Sequence, residues 1–387
     1  MLVSVLLIVL TLLYGGLLYY FKTGWEAIPE EPNPTLLQGD WPTVAIIIPA
    51  RNEEKNIGNL LKALSNQSYP LHKMEVLVID DHSTDGTASI VSQFPFAKSI
   101  LQEEEGIIAY KKKALEKGIG NTNADWILCT DADCIPSKDW VLMMVNSLTS
   151  NQASFLAAPV YLQNNGSLLG RFQTLDFLVL QGITGAGLQL RWIYMANGAN
   201  LGYPRFVFDA VKGYSGNEQV ASGDDFFLLH KIKEQYPSQI HYLKDSRAIM
   251  QTAAMPDWYS FLQQRIRWAS KSPYYTDLIL KGVLGGVWIY NATLLLCALL
   301  IIITPTIGNV VLIAWCCKTI VEWPFVKSVA KFFRHRISFL EFFLFQFFLS
   351  GCFEQPYPTK YSDRRGSLFF YMKQVQAYLY SKEGRVS

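Results

Sequence analysis

The chain begins with an unbroken apolar run. Residues Leu2 to Phe21 carry no charge, and the run ends at Lys22. At about 1.5 Å per residue, a helix of this length spans roughly the 30 Å of one hydrocarbon core. A signal peptide is the competing interpretation, but the run has no basic start and no small-x-small cleavage site before Lys22. We therefore expect a transmembrane anchor over residues 1–22 and a linker rich in Pro and Glu over residues 23–42.

From residue 43 the pattern changes to short buried strands that alternate with helices. Val44–Ile48, Glu75–Ile79 and Trp126–Cys129 are apolar runs of strand length. Helices are predicted near 55–64, 109–117 and 137–148, with further strands near 98–101 and 155–159. Alternating strands and helices form a mostly parallel sheet with crossover connections. The pattern thus predicts one α/β domain over residues 43–275.

The second half of the chain contains three more apolar stretches. Leu168 to Leu190 has scattered polar residues and is predicted to form an amphipathic or interfacial helix. The 36 uncharged residues between Lys281 and Lys318 would make about 54 Å of helix, too long for one crossing. A break at Thr304-Pro305 predicts a hairpin of two spans, whose second arm pairs Lys318 with Glu322 on one helix face.

The last apolar stretch, residues 337–353, is rich in Phe and leads into a tail over residues 354–387. Region 282–353 is therefore expected to hold two or three spans. If all four runs cross, the basic tail lies outside the cell, against the positive-inside rule. Either residues 337–353 do not cross the membrane, or the tail departs from the rule.

Basic residues predict the orientation of the domain. Lys22 follows the first span, and a second basic group precedes the last apolar run. That group consists of Lys327, Lys331, Arg334 and Arg336. Both positions are cytoplasmic by the positive-inside rule. We expect a multi-pass protein of the plasma membrane or bacterial inner membrane, with the α/β domain in the cytoplasm.

Composition agrees with a membrane protein and excludes other classes. Half of the residues are hydrophobic and only 17% are charged, against about 25% in soluble domains. The net charge of +2 offers no basic field for nucleic acid. The six cysteines include no C-x-x-C pair, so neither a zinc site nor a disulfide framework is indicated, and a reducing, cytosol-facing domain is favoured.

Charged residues collect where three predicted strands end, and Arg51 and Glu53 follow the first of them. Asp80 and Asp81 follow the second strand, and Asp131 and Asp133 follow Cys129. Ligands of open α/β sheets bind at the carboxyl ends of the strands. Two carboxylates one residue apart hold a hard divalent cation through oxygen, with water and a diphosphate completing its shell. The alternative for each acidic group alone is a turn or a helix cap.

Six short motifs occur in one order along the chain. They are P-A-R-N-E-E at 49–54, D-D-H-S-T-D-G-T at 80–87, D-A-D at 131–133, N-G-A-N at 197–200, G-D-D-x-x-L at 223–228 and Q-x-x-R-W at 264–268. Together they resemble the family 2 glycosyltransferases, which are membrane-anchored inverting enzymes of the GT-A fold. The resemblance covers roughly residues 43–270. It implies a Rossmann-like GT-A domain between amino-terminal and carboxyl-terminal transmembrane helices.

The resemblance assigns the donor and metal sites. Asp131 and Asp133 match the D-x-D that binds Mg²⁺ or Mn²⁺ and the diphosphate of a nucleotide sugar. Asp81, with Asp80 beside it, matches the acidic pair that holds the uracil or ribose of the donor. The full set implied for the donor is Pro49, Arg51, Glu53, Asp80, Asp81, Lys113, Asp131 and Arg267. Lysines 111–113 also have a plainer interpretation as a solvated charge run.

The resemblance places the catalytic base at Asp225, with Asp224 where the family more often has Glu. An inverting transfer needs one group that takes the proton of the acceptor hydroxyl as it attacks the anomeric carbon. The alternative is that the two acids only stabilise the first turn of a helix.

The acceptor side is assigned to two motifs. Asn197, Gly198 and Asn200 match the acceptor loop, with an ordinary Gly/Asn turn as the alternative. Gln264 and Trp268 match the Q-x-x-R-W of polysaccharide synthases, in which an indole offers a sugar a flat apolar face. An interfacial helix in which Arg265 and Arg267 snorkel to the headgroups explains the same segment.

We therefore expect a metal-dependent, membrane-bound inverting glycosyltransferase. It would move a sugar from a UDP-sugar to a lipid-linked or glycan acceptor, with Asp225 as general base and no nucleic acid as partner. A processive polysaccharide synthase and a nucleotidyltransferase are the alternatives among enzymes. A membrane scaffold that retains the fold without catalysis is the alternative from another class.

Overall fold

The computed structural model describes residues 2–31, 33–34, 41–103, 110–216, 223–269, 275 and 277–352. The predicted tail and part of the predicted linker lie outside the described residues. The strands are β1 (Val44–Ala50), β2 (Met74–Asp80), β3 (Ala97–Leu101), β4 (Trp126–Cys129), β5 (Ile135–Pro136), β6 (Phe155–Ala157), β7 (Val160–Gln163), β8 (Leu201–Pro204), β9 (Ile240–Tyr242) and β10 (Met250–Ala253). The helices are α1 (Leu2–Glu26), α2 (Ile57–Ser65), α3 (Thr87–Val91), α4 (Tyr110–Gly120), α5 (Trp140–Ser150), α6 (Leu168–Gln189), α7 (Arg205–Ala210), α8 (Asp224–Gln235), α9 (Trp258–Ala269), α10 (Leu278–Leu300), α11 (Gly308–Phe332) and α12 (Phe339–Cys352).

Seven strands form the central sheet in the order β3-β2-β1-β4-β8-β6-β9. All neighbours pair in parallel except β8, which runs antiparallel to β4 and β6. β1 lies inside the sheet and is buried on both faces, as its continuous apolar sequence predicts. Its alternate residues enter two cores, Ala45 and Ile47 on one face and Val44, Ile46 and Ile48 on the other. The predicted mostly parallel α/β fold is confirmed.

Helix α6 is a central core helix, and the prediction of an amphipathic or interfacial helix is wrong. Most of its residues are buried, including Gln173, Asp176 and Gln181, and it packs against α1 and α11. Small residues allow α6 and α11 to pack closely, because a side chain at Gly182 of α6 would overlap Val329 of α11. The polar residues that suggested an exposed face instead find hydrogen-bond partners inside the protein, such as the Val160 N–H, which donates to Gln181 Oε1 over 3.0 Å.

Three described helices are long and apolar enough to cross a membrane, namely α1, α10 and α11 with the turn before it. α10 and α11 are the two arms of the predicted hairpin. α1 continues as a helix to Glu26, past the predicted end of the anchor at Lys22. Its last turns enter the core of the α/β domain, where Phe21 and Trp25 are buried. The anchor is therefore packed into the domain rather than only tethered to it.

One end of each of α1, α10 and α11 contacts the α/β domain. Trp25, near the end of α1, contacts Tyr242 of β9 at 6.0 Å between ring centroids. Asp277, which caps the start of α10, forms a 2.8 Å ion pair with Lys233 of α8. Past the end of α11, His335 Nδ1 lies 3.1 Å from the Tyr161 hydroxyl of β7. The basic residues expected on the cytoplasmic side thus lie on the side of the domain.

A polar network links the apolar helices. The predicted pair between Lys318 and Glu322 is confirmed, with 2.8 Å between Nζ and Oε1. Tyr14 of α1 donates to Glu322 over 2.6 Å, and Gln346 of α12 bonds to both charged side chains. Lys318 and Glu322 are both buried. Because polar groups are costly in an apolar environment unless paired, this network favours one arrangement of α1, α11 and α12.

We predict that Lys318→Met destabilises the protein by about 3 kcal/mol, because it leaves the Glu322 carboxylate buried without its cation. Thermal unfolding in detergent measures the change. The double variant Lys318→Met/Glu322→Leu removes both charges and should recover most of the loss. Equal melting of the wild type and the single variant would contradict a structural role for the pair.

Candidate active site

The carboxyl ends of β1, β2 and β4 bring the predicted acids to one edge of the sheet. Ala50 lies opposite Asp80 in the register of β1 and β2, and the Asp81 N–H donates to the Ala50 carbonyl over 2.8 Å. On the other side of β1, Ile47 pairs with Cys129, after which the chain leaves the sheet toward Asp131. Parallel pairing therefore gathers residues that are eighty positions apart in sequence.

Asp81 lies in a basic and aromatic corner of this edge. It is buried, and its carboxylate is 3.2 Å from Arg51 Nη1 and 3.3 Å from His82 Nδ1. The Arg51 guanidinium lies over the ring of Tyr110, 5.5 Å from its centroid. Sequence reasoning identified Asp81 and Arg51 but missed His82 and Tyr110. His82 lies within the motif at 80–87 and Tyr110 begins α4, and only the fold shows that both side chains lie beside Asp81 and Arg51.

The two loops that carry this corner are hydrogen-bonded to each other. The Asn52 N–H donates to Ser83 Oγ over 3.0 Å, and the Thr84 N–H donates to Asn52 Oδ1 over 2.8 Å. Asn52 has a left-handed φ of 56°, a conformation that Asn tolerates better than most residues. The side chain of Asp80 accepts from the Ser83 N–H over 2.9 Å. Asp80 therefore shapes the loop. Pro49 is the next-to-last residue of β1 and lies opposite Ile79 of β2.

Lys111 joins the acids of two motifs. Its Nζ lies 2.5 Å from Asp131 Oδ1 and 3.5 Å from Asp224 Oδ2. Burial lowers the pKa of Lys111, but the Asp131 and Asp224 carboxylates outweigh burial and hold its pKa well above the usual value. The ammonium therefore stays charged and brings the D-x-D motif and the start of α8 together.

The prediction of Lys113 as the lysine that faces the diphosphate is not supported by this geometry. Lys113 Nζ lies 3.5 Å from Glu116 on the same helix, and Lys112 lies over the ring of Phe227 at 4.4 Å. Successive residues of a helix point about 100° apart, so only one of the three lysines faces the acids. The sequence identified the run, whereas the position of α4 against the sheet selects Lys111.

Asp225 contacts the predicted acceptor loop. Its Oδ2 accepts from the Gly198 N–H over 3.1 Å, and its Oδ1 accepts from the Phe226 N–H over 2.8 Å. A Cβ at position 198 would lie 3.0 Å from both Asp224 Oδ2 and Lys111 Nζ, closer than ordinary contact. A glycine is thus needed for the loop to approach these groups. Asp224 and Asp225 also occupy the first turn of α8, as the alternative interpretation expected.

The asparagines of the acceptor loop have structural roles. Asn197 Oδ1 accepts from the Ala199 N–H over 3.0 Å, as in an ordinary Asn turn. Asn200 is fully buried, accepts from Trp140 Nε1 over 2.8 Å and donates to the carbonyls of Pro159 and Ala248. The structure therefore corrects the prediction that Asn200 binds an acceptor, because its amide is buried and already hydrogen-bonded within the core.

The residues present fit a divalent cation at the D-x-D motif. Burial raises the pKa of Asp133, and the charge of Asp131 raises it further. Burial also raises the pKa of Glu53, and Asp133 and Asp131 add to this increase. The electrostatic part of both shifts comes from neighbouring carboxylates, and a hard cation relieves such repulsion. Among the described residues no group of three or more His, Cys, Asp or Glu side chains surrounds one point, so a cation held by the D-x-D motif would need further ligands from water or a diphosphate.

The Q-x-x-R-W segment forms α9 and packs on α6. Trp268 contacts Phe177 at 6.1 Å between centroids and carries the Arg265 guanidinium 4.6 Å from its own ring. Arg265 forms an ion pair with buried Asp176, so the expectation that it snorkels to the headgroups is wrong. Gln264 is half-buried and Arg267 is exposed. Their predicted roles toward acceptor and donor, and that of Trp268, remain predictions.

The exposed side of α9 supports the interfacial interpretation of this helix as well. Trp258, Leu262 and Ile266 recur every four residues and are exposed, which places them in one stripe along the helix. An exposed apolar stripe on a helix beside helices of membrane-spanning length is typical of contact with lipid. The two interpretations of the segment are therefore compatible, because Trp268 and the exposed stripe lie on different sides of α9.

Comparison with known proteins identifies the family to which the central segment of the chain belongs. Residues 45–211 match Glycosyl transferase family 2, and this range contains the first four of the six motifs. This segment is therefore a glycosyl transferase family 2 domain. The predicted family is thereby confirmed, and the predicted enzyme class, a glycosyltransferase, is confirmed at the level of the family.

Several curated proteins are similar to this chain. It is 28% identical over 241 residues to the Probable glycosyltransferase YdaM of Bacillus subtilis (strain 168), covering 60% of this chain and 56% of the relative. It is 29% identical over 297 residues to the Beta-monoglucosyldiacylglycerol synthase of Synechocystis sp. (strain ATCC 27184 / PCC 6803 / Kazusa), covering 70% and 59%. The chain spans about half the length of the curated relatives it matches.

A solved structure shares the fold over most of the chain. It is the mannosyltransferase PcManGT from Pyrobaculum calidifontis, in complex with GDP-Man and Mn²⁺. The TM-score is 0.57 at 20% identity, covering 85% of this chain and 97% of that one. At this identity the likeness establishes the fold, and the predicted GT-A architecture is confirmed.

We predict that Lys111→Met lowers kcat/KM for release of nucleoside diphosphate from a sugar nucleotide by about 10- to 100-fold, the usual range for losing a hydrogen bond to a charged group. Lys113→Met is the matched control, because it removes the same charge from the same helix and should change the rate less than about twofold. A larger loss of kcat/KM in Lys113→Met than in Lys111→Met would support Lys113 as the lysine that faces the diphosphate.

Proposed function

We propose that the protein is a membrane-bound inverting glycosyltransferase that moves a sugar from a UDP-linked donor to a lipid-linked or glycan acceptor. The observation that carries the proposal is the meeting of three motifs around Lys111 of α4. The D-x-D motif reaches Lys111 through Asp131, α8 reaches it through Asp224, and Gly198 holds Asp225 beside them. Residues from four separate segments thus surround one place where a sugar could bind between donor and acceptor.

The donor is proposed to lie along the carboxyl edge of the sheet. Asp81 offers carboxylate oxygens to a uracil imide or a ribose hydroxyl, and Arg51 orients it. Lys111 is placed for the diphosphate, because an ammonium shared by two carboxylates can pair with phosphate oxygens as well. The solved mannosyltransferase supports a nucleotide-sugar donor, since its complex contains GDP-Man. The uridine base itself is proposed from the resemblance of the Asp80-Asp81 motif.

Asp131 and Asp133 would hold Mg²⁺ or Mn²⁺. Thr252 of β10 donates to Asp133 over 3.2 Å and so positions its carboxylate. A bound divalent cation supplies positive charge that stabilises the departing diphosphate. Mn²⁺ in the complex of the solved mannosyltransferase supports this choice of cofactor.

Asp225 is proposed as the general base. Two backbone N–H groups, of Gly198 and Phe226, fix its carboxylate. The acceptor hydroxyl would give its proton to Asp225 while its oxygen forms a bond to the anomeric carbon. The bond from that carbon to the diphosphate oxygen breaks, and the configuration inverts because attack and departure occur on opposite faces. No covalent sugar-enzyme intermediate is needed.

The acceptor is proposed to reach the site from the bilayer. Three membrane-length helices adjoin the domain, and the exposed stripe of α9 lies on the same chain segment as Trp268. The relative from Synechocystis is named as a synthase of a glucosyl lipid, which supports a lipid acceptor. We propose a multi-pass protein of the plasma or bacterial inner membrane with a cytoplasmic domain.

A processive polysaccharide synthase is the second candidate. The chain is 24% identical over 173 residues to a Poly-beta-1,6-N-acetyl-D-glucosamine synthase of Staphylococcus epidermidis, covering 43% of this chain and 40% of the relative. The Q-x-x-R-W motif supports the same candidate. Incubation with labelled sugar nucleotide and separation of products by length decides between them: a single added sugar favours the first proposal, and a ladder of products favours the second.

We predict that Asp225→Asn lowers kcat for UDP release by about 10² to 10⁴, the usual contribution of a general base. Thermal stability should fall only modestly, because the amide oxygen still accepts one of the two backbone N–H groups of Gly198 and Phe226. Glu234→Gln is the matched control, as it removes an exposed carboxylate from the same helix. Equal turnover in the wild type and Asp225→Asn would refute the assignment of the base and favour a non-catalytic scaffold.

We predict that EDTA abolishes UDP release and that added Mn²⁺ restores it, because the acids of the D-x-D motif need the cation to bind a diphosphate. Asp133→Asn should raise the Mn²⁺ concentration for half-maximal turnover by about tenfold or more. Asp209→Asn is the matched control, because it removes an exposed carboxylate elsewhere on the domain. The Mn²⁺ concentration for half-maximal turnover should not change in this variant. Full turnover in EDTA would contradict metal dependence.

A further inference from the structure

A basic pocket lies at the domain-side end of α11, outside the residues assigned to the active site. Its volume is about 490 Å³, within the range of about 300–1,000 Å³ that is usual for small-ligand sites. Its lining combines apolar and cationic side chains. They are Trp323, Lys327, Ala330, Lys331, His335, Arg336, Ile337 and Ser338.

The local fold explains why these residues share one pocket. Trp323, Lys327 and Lys331 are spaced four apart and lie on one face of α11. The helix ends in a Schellman turn, in which the His335 N–H donates to the Ala330 carbonyl over 2.9 Å. Arg334 takes the left-handed position of this turn, with φ of 52°. The turn directs the chain back along the helix, so Arg336 lines the pocket opposite the lysines.

The cations of this pocket have no acidic partner within the described residues. No carboxylate described here forms an ion pair with Lys327, Lys331 or Arg336. The nearest acids in sequence are occupied, since Glu341 pairs with Arg171 at 2.6 Å and Glu322 pairs with Lys318. Burial lowers the pKa of His335, so it adds no charge at neutral pH. Three positive charges around one cavity favour an anionic ligand.

We propose that this pocket binds the phosphate-bearing headgroup of an anionic phospholipid from the surrounding bilayer. If α11 crosses the membrane, Trp323 lies at the level of the aromatic belt, and Lys327 and Lys331 follow one and two turns closer to the domain. Basic pockets between helices on the cytoplasmic side are suited to anionic headgroups. The proposal rests on the membrane placement of α11 and is independent of glycosyl transfer.

Native mass spectrometry of the full-length protein in detergent tests the proposal. The protein is titrated with phosphatidylglycerol or phosphatidylcholine of identical acyl chains, without donor. We expect phosphatidylglycerol to bind more tightly. Lys327→Gln and Arg336→Gln should each weaken its binding on the order of fivefold, with no effect on phosphatidylcholine.

Arg334→Asn is the matched control. It removes one exposed positive charge two residues from Arg336, does not line the pocket, and places an Asn where a left-handed φ is required. Binding of phosphatidylglycerol should then change less than about twofold.

Three outcomes would overturn the proposal. Equal binding of the two lipids would exclude recognition of the anionic headgroup. An equal loss of affinity for phosphatidylglycerol in Arg334→Asn and Arg336→Gln would indicate that the surface binds the lipid through its general positive charge and not through this pocket. Displacement of the lipid by inorganic phosphate at equal concentration would indicate a site for a soluble anion. Because no donor is present, these results do not depend on whether the protein transfers a sugar.

Discussion

The contact of Lys111 with Asp131 and Asp224 is the interaction on which the candidate site depends. Several carboxylates from separate segments converge at one edge of the sheet, and their mutual repulsion opposes this convergence. A partly buried ammonium, that of Lys111, lies between two of them, offsets the repulsion and joins α4, the D-x-D loop and α8. The excess negative charge that remains near Asp133 and Glu53 is suited to a divalent cation. Structural stabilisation and the proposed chemistry therefore use the same charges.

The helices of membrane-spanning length belong to the architecture of the domain. Phe21 and Trp25 of α1 are part of the core that also contains Ile47 of β1 and Leu178 of α6. Because α6 is packed by α1 and α11, the anchor, the hairpin and the sheet share one hydrophobic core. The candidate site therefore has a defined position relative to the helices. This arrangement supports the proposal that the acceptor reaches the site from the bilayer.

The sequence predicted most of the fold and the acidic part of the site. Alternation of apolar runs with helical patterns indicated the α/β domain, and the ends of the strands indicated where Asp81, Asp131 and Asp133 would meet. The uncharged stretch with a central Thr-Pro indicated the hairpin, and a four-residue spacing indicated the pair of Lys318 with Glu322. These predictions rest on local periodicity and on the common direction of parallel strands, which are both visible in one dimension.

Other predictions required packing that local sequence does not contain. Which lysine of the run at 111–113 faces the acids depends on the rotation of α4 against the sheet. Whether Asn200 or its neighbour faces the cleft depends on how the loop meets α5, and whether α6 lies at the surface or in the core depends on the helices that cover it. The sequence by itself thus determined the elements, the family and the chemical types at the sheet edge. The tertiary structure alone decided which side chains touch, because helix rotation and the approach of distant segments are set by contacts between residues far apart in the chain.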